Sequence, residues 1–444
     1  MHENRRYVKL RRIWVGLACA LLWAPVAKAE LVTAAQGPAA LTVGRDGLPR
    51  VAYAEGCVLH VAVRSAAGWH DETAASCLPL AANALVVDGI AVDGHGRTSV
   101  LVQDETGTAI LLVRTAAAGW RTDLLARAGN AGAVLGSAGL TLDARGLPVV
   151  AYALRRASHA TFLRLVRIGA RGGFVTTAIT RGGFPASDAP PAAVPVLVRG
   201  RIHVVEAFGS QGIAWEPAGR TWSGQYLFAN TAGLNGGPVF ATAFRGATWT
   251  ASTLLEPQFG ESDVLLTLEN ASENTTIVFP HARVAALTLV DGRPEVAAND
   301  EVDIADTVDV AALVGDEEGN SAELDGAIEG YTAAVNGVRH ILLRTQSGLE
   351  WFASPTRPSV QVMLDADATG HLRGRVGGVP GGTVELYREQ PYAGRVLVGT
   401  VPLAADGSFA AQDTPPTSPT LYRAVYRDPL TGLPYSSLTR TPLG

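Results

Sequence analysis

Short runs of alternating apolar and polar residues, each closed by a turn-forming cluster, fill most of this chain. Between residues 139 and 179 the pattern gives four consecutive strands: Gly139–Asp143, Leu147–Ala153, Thr161–Ile168 and Gly173–Ile179. The breaks fall at Ala144-Arg145-Gly146, around Arg155 and at Gly169–Gly172. A period of two with Gly or polar punctuation is what half-buried strands joined by tight hairpins require. The same four-strand unit runs through 41–43, 48–54, 58–64 and 69–73, and again through 90–92, 98–103, 109–114 and 120–125.

These units carry a recurring phrase. Gly47-Leu48-Pro49-Arg50-Val51-Ala52-Tyr53-Ala54 returns as Gly146-Leu147-Pro148-Val149-Val150-Ala151-Tyr152-Ala153, with Gly96-Arg97-Thr98-Ser99-Val100-Leu101-Val102 between them. The steps from glycine to glycine are 49 and 50 residues. Diverged copies are anchored at Gly200, Gly237, Gly292 and Gly326, which gives seven units of about 47 residues over 31–357. A blade-sized period filled with strand text predicts an all-β fold, a β-propeller of about seven four-stranded blades. One large aromatic recurs near the expected fourth strand: Trp69, Trp120, Phe174, Trp222, Trp249 and Trp351. Repetition at one blade position marks these rings, and Tyr53 with Tyr152, as packing between blades, not as sugar-stacking platforms.

The phrase stops at Pro355–Pro358. Beyond it, strands are expected at His371–Val376, Thr383–Arg388, Arg395–Pro402, Ser408–Ala411 and Leu421–Arg427. Five or more strands in so short a stretch predict a small β-sandwich. The expected domains are therefore a leader (1–29), a propeller (30–357) and a sandwich (358–444).

The leader changes the accounting of charge. Arg5, Arg6, Lys9, Arg11 and Arg12 precede the apolar run Ile13–Val26, and Ala27-Lys28-Ala29 supplies a small-x-small cleavage pattern. Cleavage between Ala29 and Glu30 is expected, with a Sec or twin-arginine signal directing the protein out of the cell. The remaining chain has 30 basic and 40 acidic groups, a formal charge of −10, and no lysine. That excludes Schiff-base, P-loop and Ser-x-x-Lys chemistry. It also speaks against a nucleic-acid partner, which needs a concentrated basic surface. No later stretch is long and apolar enough to span a bilayer. Cys57 and Cys77, an even pair in an exported chain, are expected to form one disulfide.

Asp46-Gly47-Leu48-Pro49-Arg50-Val51-Ala52-Tyr53, with Gly68-Trp69, resembles repeats of exported bacterial β-propellers distantly related to the Asp-box group. Gly382-Thr383-Val384-Glu385-Leu386-Tyr387-Arg388 and Leu403–Phe409 resemble bacterial immunoglobulin-like or carboxypeptidase-regulatory-like domains. The second resemblance implies a spacer or contact module, and both imply fold more than activity.

Motifs for catalysis are lacking. Phe208-Gly209-Ser210-Gln211-Gly212 has Phe where a nucleophile elbow needs Gly, and no His-Glu-x-x-His, Cys-x-x-Cys or Gly-x-Gly-x-x-Gly occurs. His60, His70, His95, His159, His203, His281, His340 and His371 are scattered in sequence. Asp365-Ala366-Asp367-Ala368-Thr369-Gly370 opens like an EF-hand loop but meets Val376 where the bidentate Glu belongs. The acidic residues Asp300, Glu301, Asp303, Asp306, Asp309, Asp316, Glu317, Glu318, Glu323 and Asp325 have no basic residue among them. Oxygen-rich loops of that kind suit Ca²⁺, the one cofactor the composition leaves open; otherwise they form a solvated face. No catalytic or cofactor-binding residue is selected and the metal question stays undecided. The expected function is recognition without catalysis: a monomer binding a glycan or extracellular protein through propeller loops. A glycan hydrolase or lyase at the channel mouth, and a structural spacer, are the alternatives.

Overall fold

In a computed structural model the chain is all-β, with no helix among the described residues. The described residues are 29–441 except 79–84, 105–107, 116–118, 127–133, 156–160, 169–172, 181–191, 209–210, 230–233, 245–246, 257–260, 271–272, 280–281, 305–306, 391–393, 417–418 and positions 292, 317, 319, 335, 380 and 415. Residues 1–28, Ala27 among them, lie outside these.

Strand β1 (Glu30–Thr33) stands apart at the start. Blade 1 follows as β2 (Ala39–Val43), β3 (Pro49–Glu55), β4 (Val58–Ser65) and β5 (Gly68–Ala75). Blade 2 is β6 (Leu85–Val92), β7 (Thr98–Asp104), β8 (Ala109–Thr115) and β9 (Gly119–Ala126). Blade 3 is β10 (Val134–Leu142), β11 (Pro148–Arg155), β12 (Thr161–Ile168) and β13 (Phe174–Ala178). Blade 4 is β14 (Ala192–Val198), β15 (Arg201–Phe208), β16 (Gln211–Ala218) and β17 (Thr221–Ala229). Blade 5 is β18 (Leu234–Phe244), β19 (Ala247–Glu256), β20 (Glu261–Asn270) and β21 (Glu273–Phe279). Blade 6 is β22 (Ala282–Val290), β23 (Arg293–Ile304), β24 (Thr307–Asp316) and β25 (Ser321–Asp325). Blade 7 takes β26 (Ala327–Ala333), β27 (Arg339–Thr345) and β28 (Gly348–Ser354) from one end of the wheel, and β1 from the other. Within each blade the strands pair antiparallel, blades 1 to 6 as meanders, and Glu30↔Trp351 registers the closure in blade 7.

Closure is also visible at the hub. Each innermost strand lies against those of the blades on either side, and β26 returns to β2. Such crowding is permitted by small residues at one level of the hub. A side chain on Gly139 would stand 2.9 Å from Ala193 O and Pro195 Cδ. One on Gly330 would collide with Leu41 Cβ and sit 3.0 Å from Leu41 N. Strands β6, β10, β18, β22 and β26 are bulged near this level, which turns each strand end toward its neighbour. Ser137 of β10 even pairs with Ala192 of β14 across the blade boundary.

Between blades, the apolar faces interleave. Ala52, Leu59, Val100 and Leu112 seal blades 1 and 2; Leu101, Leu111, Val150 and Val166 seal blades 2 and 3. The recurring aromatics pack as the sequence requires: Trp120, Phe174 and Trp222 each join one of these inter-blade clusters. Trp69 meets Trp351 edge-on across the closure, with centroids 5.8 Å apart. Two positions in the series need correcting. Trp249 lies on the second strand of its blade and Trp351 on the third, since β1 supplies the fourth strand there. The anchors at Gly237 and Gly326 likewise mark innermost strands and not the turn that follows them.

The C-terminal part contains two strands more than the sequence pattern gave. A three-stranded sheet of β29 (Gln361–Ala366), β30 (His371–Gly377) and β33 (Ser408–Gln412) faces a sheet ordered β35-β34-β31-β32. The latter strands are β31 (Thr383–Gln390), β32 (Gly394–Pro402), β34 (Leu421–Arg427) and β35 (Pro434–Arg440). Val384, Tyr422 and Tyr426 share one continuous core with Ile341 and Phe352 of blade 7 and Val314 of blade 6. Leu324 of β25 pairs with Tyr435 of β35, so the sheet of blade 6 runs on into the sandwich. An ionic cluster locks that joint. Arg395 lies 2.7 Å from Asp325 and 3.1 Å from Glu389, and the wholly buried Arg423 donates to Glu389 at 2.8 Å.

The hub gives a paired test. Gly330→Ala is expected to destabilise by about 1–3 kcal/mol through overpacking. Gly89→Ala, whose new methyl would sit at an ordinary 3.6 Å from Leu140 Cβ, should be tolerated. Chemical denaturation of both variants measures the difference.

Candidate recognition surface

The turns between first and second strands lie closest to the axis on one face and form a rim around it. In blades 1 to 3 one aspartate builds each turn. Asp46 Oδ1 accepts Leu48 N at 3.0 Å, Asp93 Oδ1 accepts His95 N and Arg97 N at 2.8 and 2.9 Å, and Asp143 Oδ1 accepts Arg145 N and Leu147 N at 2.8 and 3.0 Å. Each carboxylate then takes an arginine: Arg50 at 2.6 Å, Arg97 at 2.5 Å and Arg145 at 2.9 Å. The bond from Arg50 holds the Asp46 carboxyl below its ordinary value. Burial alone would raise Asp93 and Asp143, but backbone amides and the paired arginines outweigh it and both titrate low. The Asp-x-x-Gly text of blades 2 and 3, and the Asp46-Gly47 pair of blade 1, are thus turn chemistry. Neighbouring turns abut: a side chain on Gly146 would stand 3.1 Å from Asp93 Cβ, and one on Gly337 3.2 Å from Asp291 Oδ1.

Blade 4 breaks this rule. Its turn has shortened to Arg199-Gly200, has lost the aspartate, and holds Arg199 at φ 48° and Gly200 at φ 78°. Left-handed backbone in a two-residue hairpin turn favours Asn, Asp or Gly at the first position, so an arginine there costs about 1–2 kcal/mol. Arg199, Arg201, and Arg220 in the adjacent turn of the same blade are all exposed and make no side-chain ion pair or hydrogen bond among the described residues. Arg167, at the same end of blade 3, is exposed and has no ion pair among the described residues. Glu216 is the one described acidic residue in this end of blade 4.

Other titratable groups are spent on architecture. Glu295 of β23 accepts Arg339 at 2.6 and 2.9 Å and the Tyr331 hydroxyl, all three buried between blades 6 and 7. A tyrosine, a carboxylate and an arginine are a hydrolase's parts, but here they satisfy one another out of reach of solvent. Glu206 is fully buried; burial pushes it up to about 7, Trp215 Nε1 donates to one oxygen at 2.9 Å, and its other oxygen has no partner. Glu329 is pushed to about 7 by burial, against the opposing pull of Arg344 and the amide of Ala39. Asp88, on a hub bulge, is raised well above the carboxylate range by burial.

The sequence candidates are placed as follows. Cys57 and Cys77 form the expected disulfide, tying the second turn of blade 1 to the segment leaving β5, with Cα atoms 4.9 Å apart. Glu30 opens β1 and grips Arg64 with two hydrogen bonds of 2.7 and 2.8 Å. His60 stacks on Tyr53 and bonds Asp71 at 3.0 Å, while burial lowers buried His340 to about 4 beside Trp351. His159, His281 and Ser210 lie outside the described residues. Asp367 caps its own hairpin through Thr369 N and His371 N, so the EF-hand-like opening is a turn. Within the acidic stretch, Asp316 closes a turn and pairs with Arg357, and Asp325 belongs to the sandwich joint. Asp306 and Glu317, and the side chains of Asp300, Glu301, Asp303 and Asp309, lie outside the described residues. Among the described residues no group of three His, Cys, Asp or Glu is arranged to hold a metal. The blade 4 arginines escaped the sequence reading; the signal was a lost aspartate in an otherwise repeating turn.

No protein-family model matches the chain, and no curated protein matches it. Solved structures do align. AofleA from Arthrobotrys oligospora is 11% identical with a TM-score of 0.43, over 68% of this chain and 91% of that one. The SapL1 lectin in complex with alpha methyl fucoside is 12% identical with a TM-score of 0.43, over 63% and 94%. The β-propeller domain of the Trilobed protease from Pyrococcus furiosus is 10% identical with a TM-score of 0.41, over 74% and 94%. At such values the likeness carries no argument about ligands, and the propeller assignment rests on the closed wheel itself.

Two outcomes follow for the buried carboxylates. Glu295→Gln leaves Arg339 without its counter-charge and should cost about 3–5 kcal/mol in denaturation experiments. Glu206 titrates higher in the folded chain than in the unfolded one. Its contribution to stability is therefore full below the unfolded value of 4.5 and declines as pH rises toward about 7. Melting curves between these limits should show Glu206→Gln gaining on the wild type as pH increases.

Proposed function

We propose that this is an exported, non-catalytic recognition protein that binds a glycan through the turns on one face of its seven-bladed wheel. The observation that carries the reading is the contrast on the rim. In blades 1 to 3 the turn aspartate holds one arginine each, leaving Arg45 of blade 1 exposed, whereas blade 4 has no turn aspartate and presents three arginines with no ion pair among the described residues. Guanidinium groups donate several hydrogen bonds in a fixed fork, which suits ring substituents of sugars. Rigid loops around an axis suit recognition of an extended ligand.

Export is supported by the basic and apolar leader text, by the Cys57–Cys77 disulfide, and by Glu30 being both the first residue after the expected cleavage and the first of the wheel. The sandwich is read as an immunoglobulin-like spacer or contact module. Lettered in chain order, A-B-E faces G-F-C-D, which keeps six strands in the sheets of a constant-type immunoglobulin domain and moves only the fourth.

Glycan-array screening of residues 30–444 tests the proposal. Saturable binding to a defined set of glycans is expected, and a uniformly blank array would defeat it. Fractionation of cells making the full chain checks export: the product outside the cytoplasm should begin at Glu30.

A further inference from the structure

We infer that the blade 4 sector of the rim, formed by Arg199, Arg201 and Arg220 with Arg167 of blade 3, is a subsite for the carboxylates of a uronate-bearing polysaccharide. The inference rests on the recognition reading above and names the ligand class. Its argument is the local reversal of charge. After the leader, the chain carries −10, and in blades 1 to 3 of the rim the turn aspartate cancels one arginine. Here four exposed guanidinium groups meet a single exposed carboxylate, that of Glu216.

The positions are close. Arg199 and Arg201 flank the turn from β14 to β15, and Arg220 lies in the turn from β16 to β17, at the same end of one sheet. Two strand spacings separate these turns, about 10 Å. Leu163 and Leu165 of β12 pack in one cluster with Ile202 and Val204 of blade 4, and Arg167 continues the same face of that strand toward the rim.

Arg199 adds a separate indication. Asn at its position would relieve the left-handed backbone, so arginine is kept there at a cost in stability. Strain at an exposed, unpaired cation is accounted for when the cation has a ligand.

A polysaccharide fits better than a nucleic acid. The sector is flanked by Asp143 and Glu216, which can accept sugar hydroxyls but would repel a continuous phosphate backbone. No aromatic residue stands in these turns to stack on bases. Planar carboxylates match the arginine fork two bonds at a time.

The test uses residues 30–444 with polygalacturonate, alginate and hyaluronate, and with fully methyl-esterified polygalacturonate as the uncharged counterpart. Binding to at least one of the acids is expected, weakening as salt rises from about 50 to about 300 mM, with none to the ester. The variant Arg199→Asn should bind more weakly while melting at the same temperature or higher. Adding Arg201→Gln and Arg220→Gln should reduce affinity about tenfold or more. Arg373→Gln, on the sandwich, controls for loss of charge and should bind normally. Equal binding of acid and ester, or binding indifferent to the triple variant, overturns the inference while leaving the glycan reading intact. Equal competition by single-stranded DNA overturns the choice of ligand class. Failure to bind any of the three acids overturns the inference outright, and the array then decides the broader reading by itself.

Discussion

Seven strands can meet around one axis only if their backbones approach more closely than ordinary side chains allow, and everything else in this molecule depends on meeting that condition. Gly139 and Gly330 meet it by having no side chain where the neighbouring strand passes. Local bulges meet it by turning strand ends toward each other. Once the hub is tight, the blades fan outward and leave wedge-shaped gaps, which is where Trp69, Trp120 and Trp222 find room. Burying large rings of this kind returns several kcal/mol of hydrophobic stabilisation at each of those boundaries.

The wheel and the sandwich form one body. Leu324 and Tyr435 join their sheets, Phe352 and Tyr422 share one core, and a cluster of two arginines and two carboxylates fills the polar part of the contact. The ionic cluster adds direction to the apolar contact, since Arg423 is fully buried and must meet Glu389 and Asp325 to compensate its lost hydration. The sandwich therefore keeps a fixed bearing relative to the rim.

Much of this was legible in the sequence because the propeller repeats itself. The Gly-Leu-Pro phrase located the first three blades strand by strand, and the unit count of seven stands. Blades 5 and 7 were misaligned by a strand because glycine has two separate uses here. At Gly146 it sits at positive φ in the turn after an innermost strand, whereas Gly326, also at positive φ, stands just before one, and one-letter text does not tell these apart. Trp351 was assigned to a fourth strand for a similar reason, since nothing near it says that residues some 320 positions earlier complete its sheet. The exposed arginines of blade 4 were hidden because the signal lies in what their turn has lost. The joint was hidden because Asp325, Glu389 and Arg423 are distant in the chain.

Strand β1 settles more than the seam it fills. With the first and last segments of the ring hydrogen-bonded inside blade 7, the wheel has no loose beginning. A protease that clips one loop between blades does not unthread the ring: both new ends stay embedded in their blades, and the two fragments are held together by the β1–β28 pairing and the inter-blade cores. Among degradative enzymes, such a molecule can be nicked repeatedly and still keep its shape.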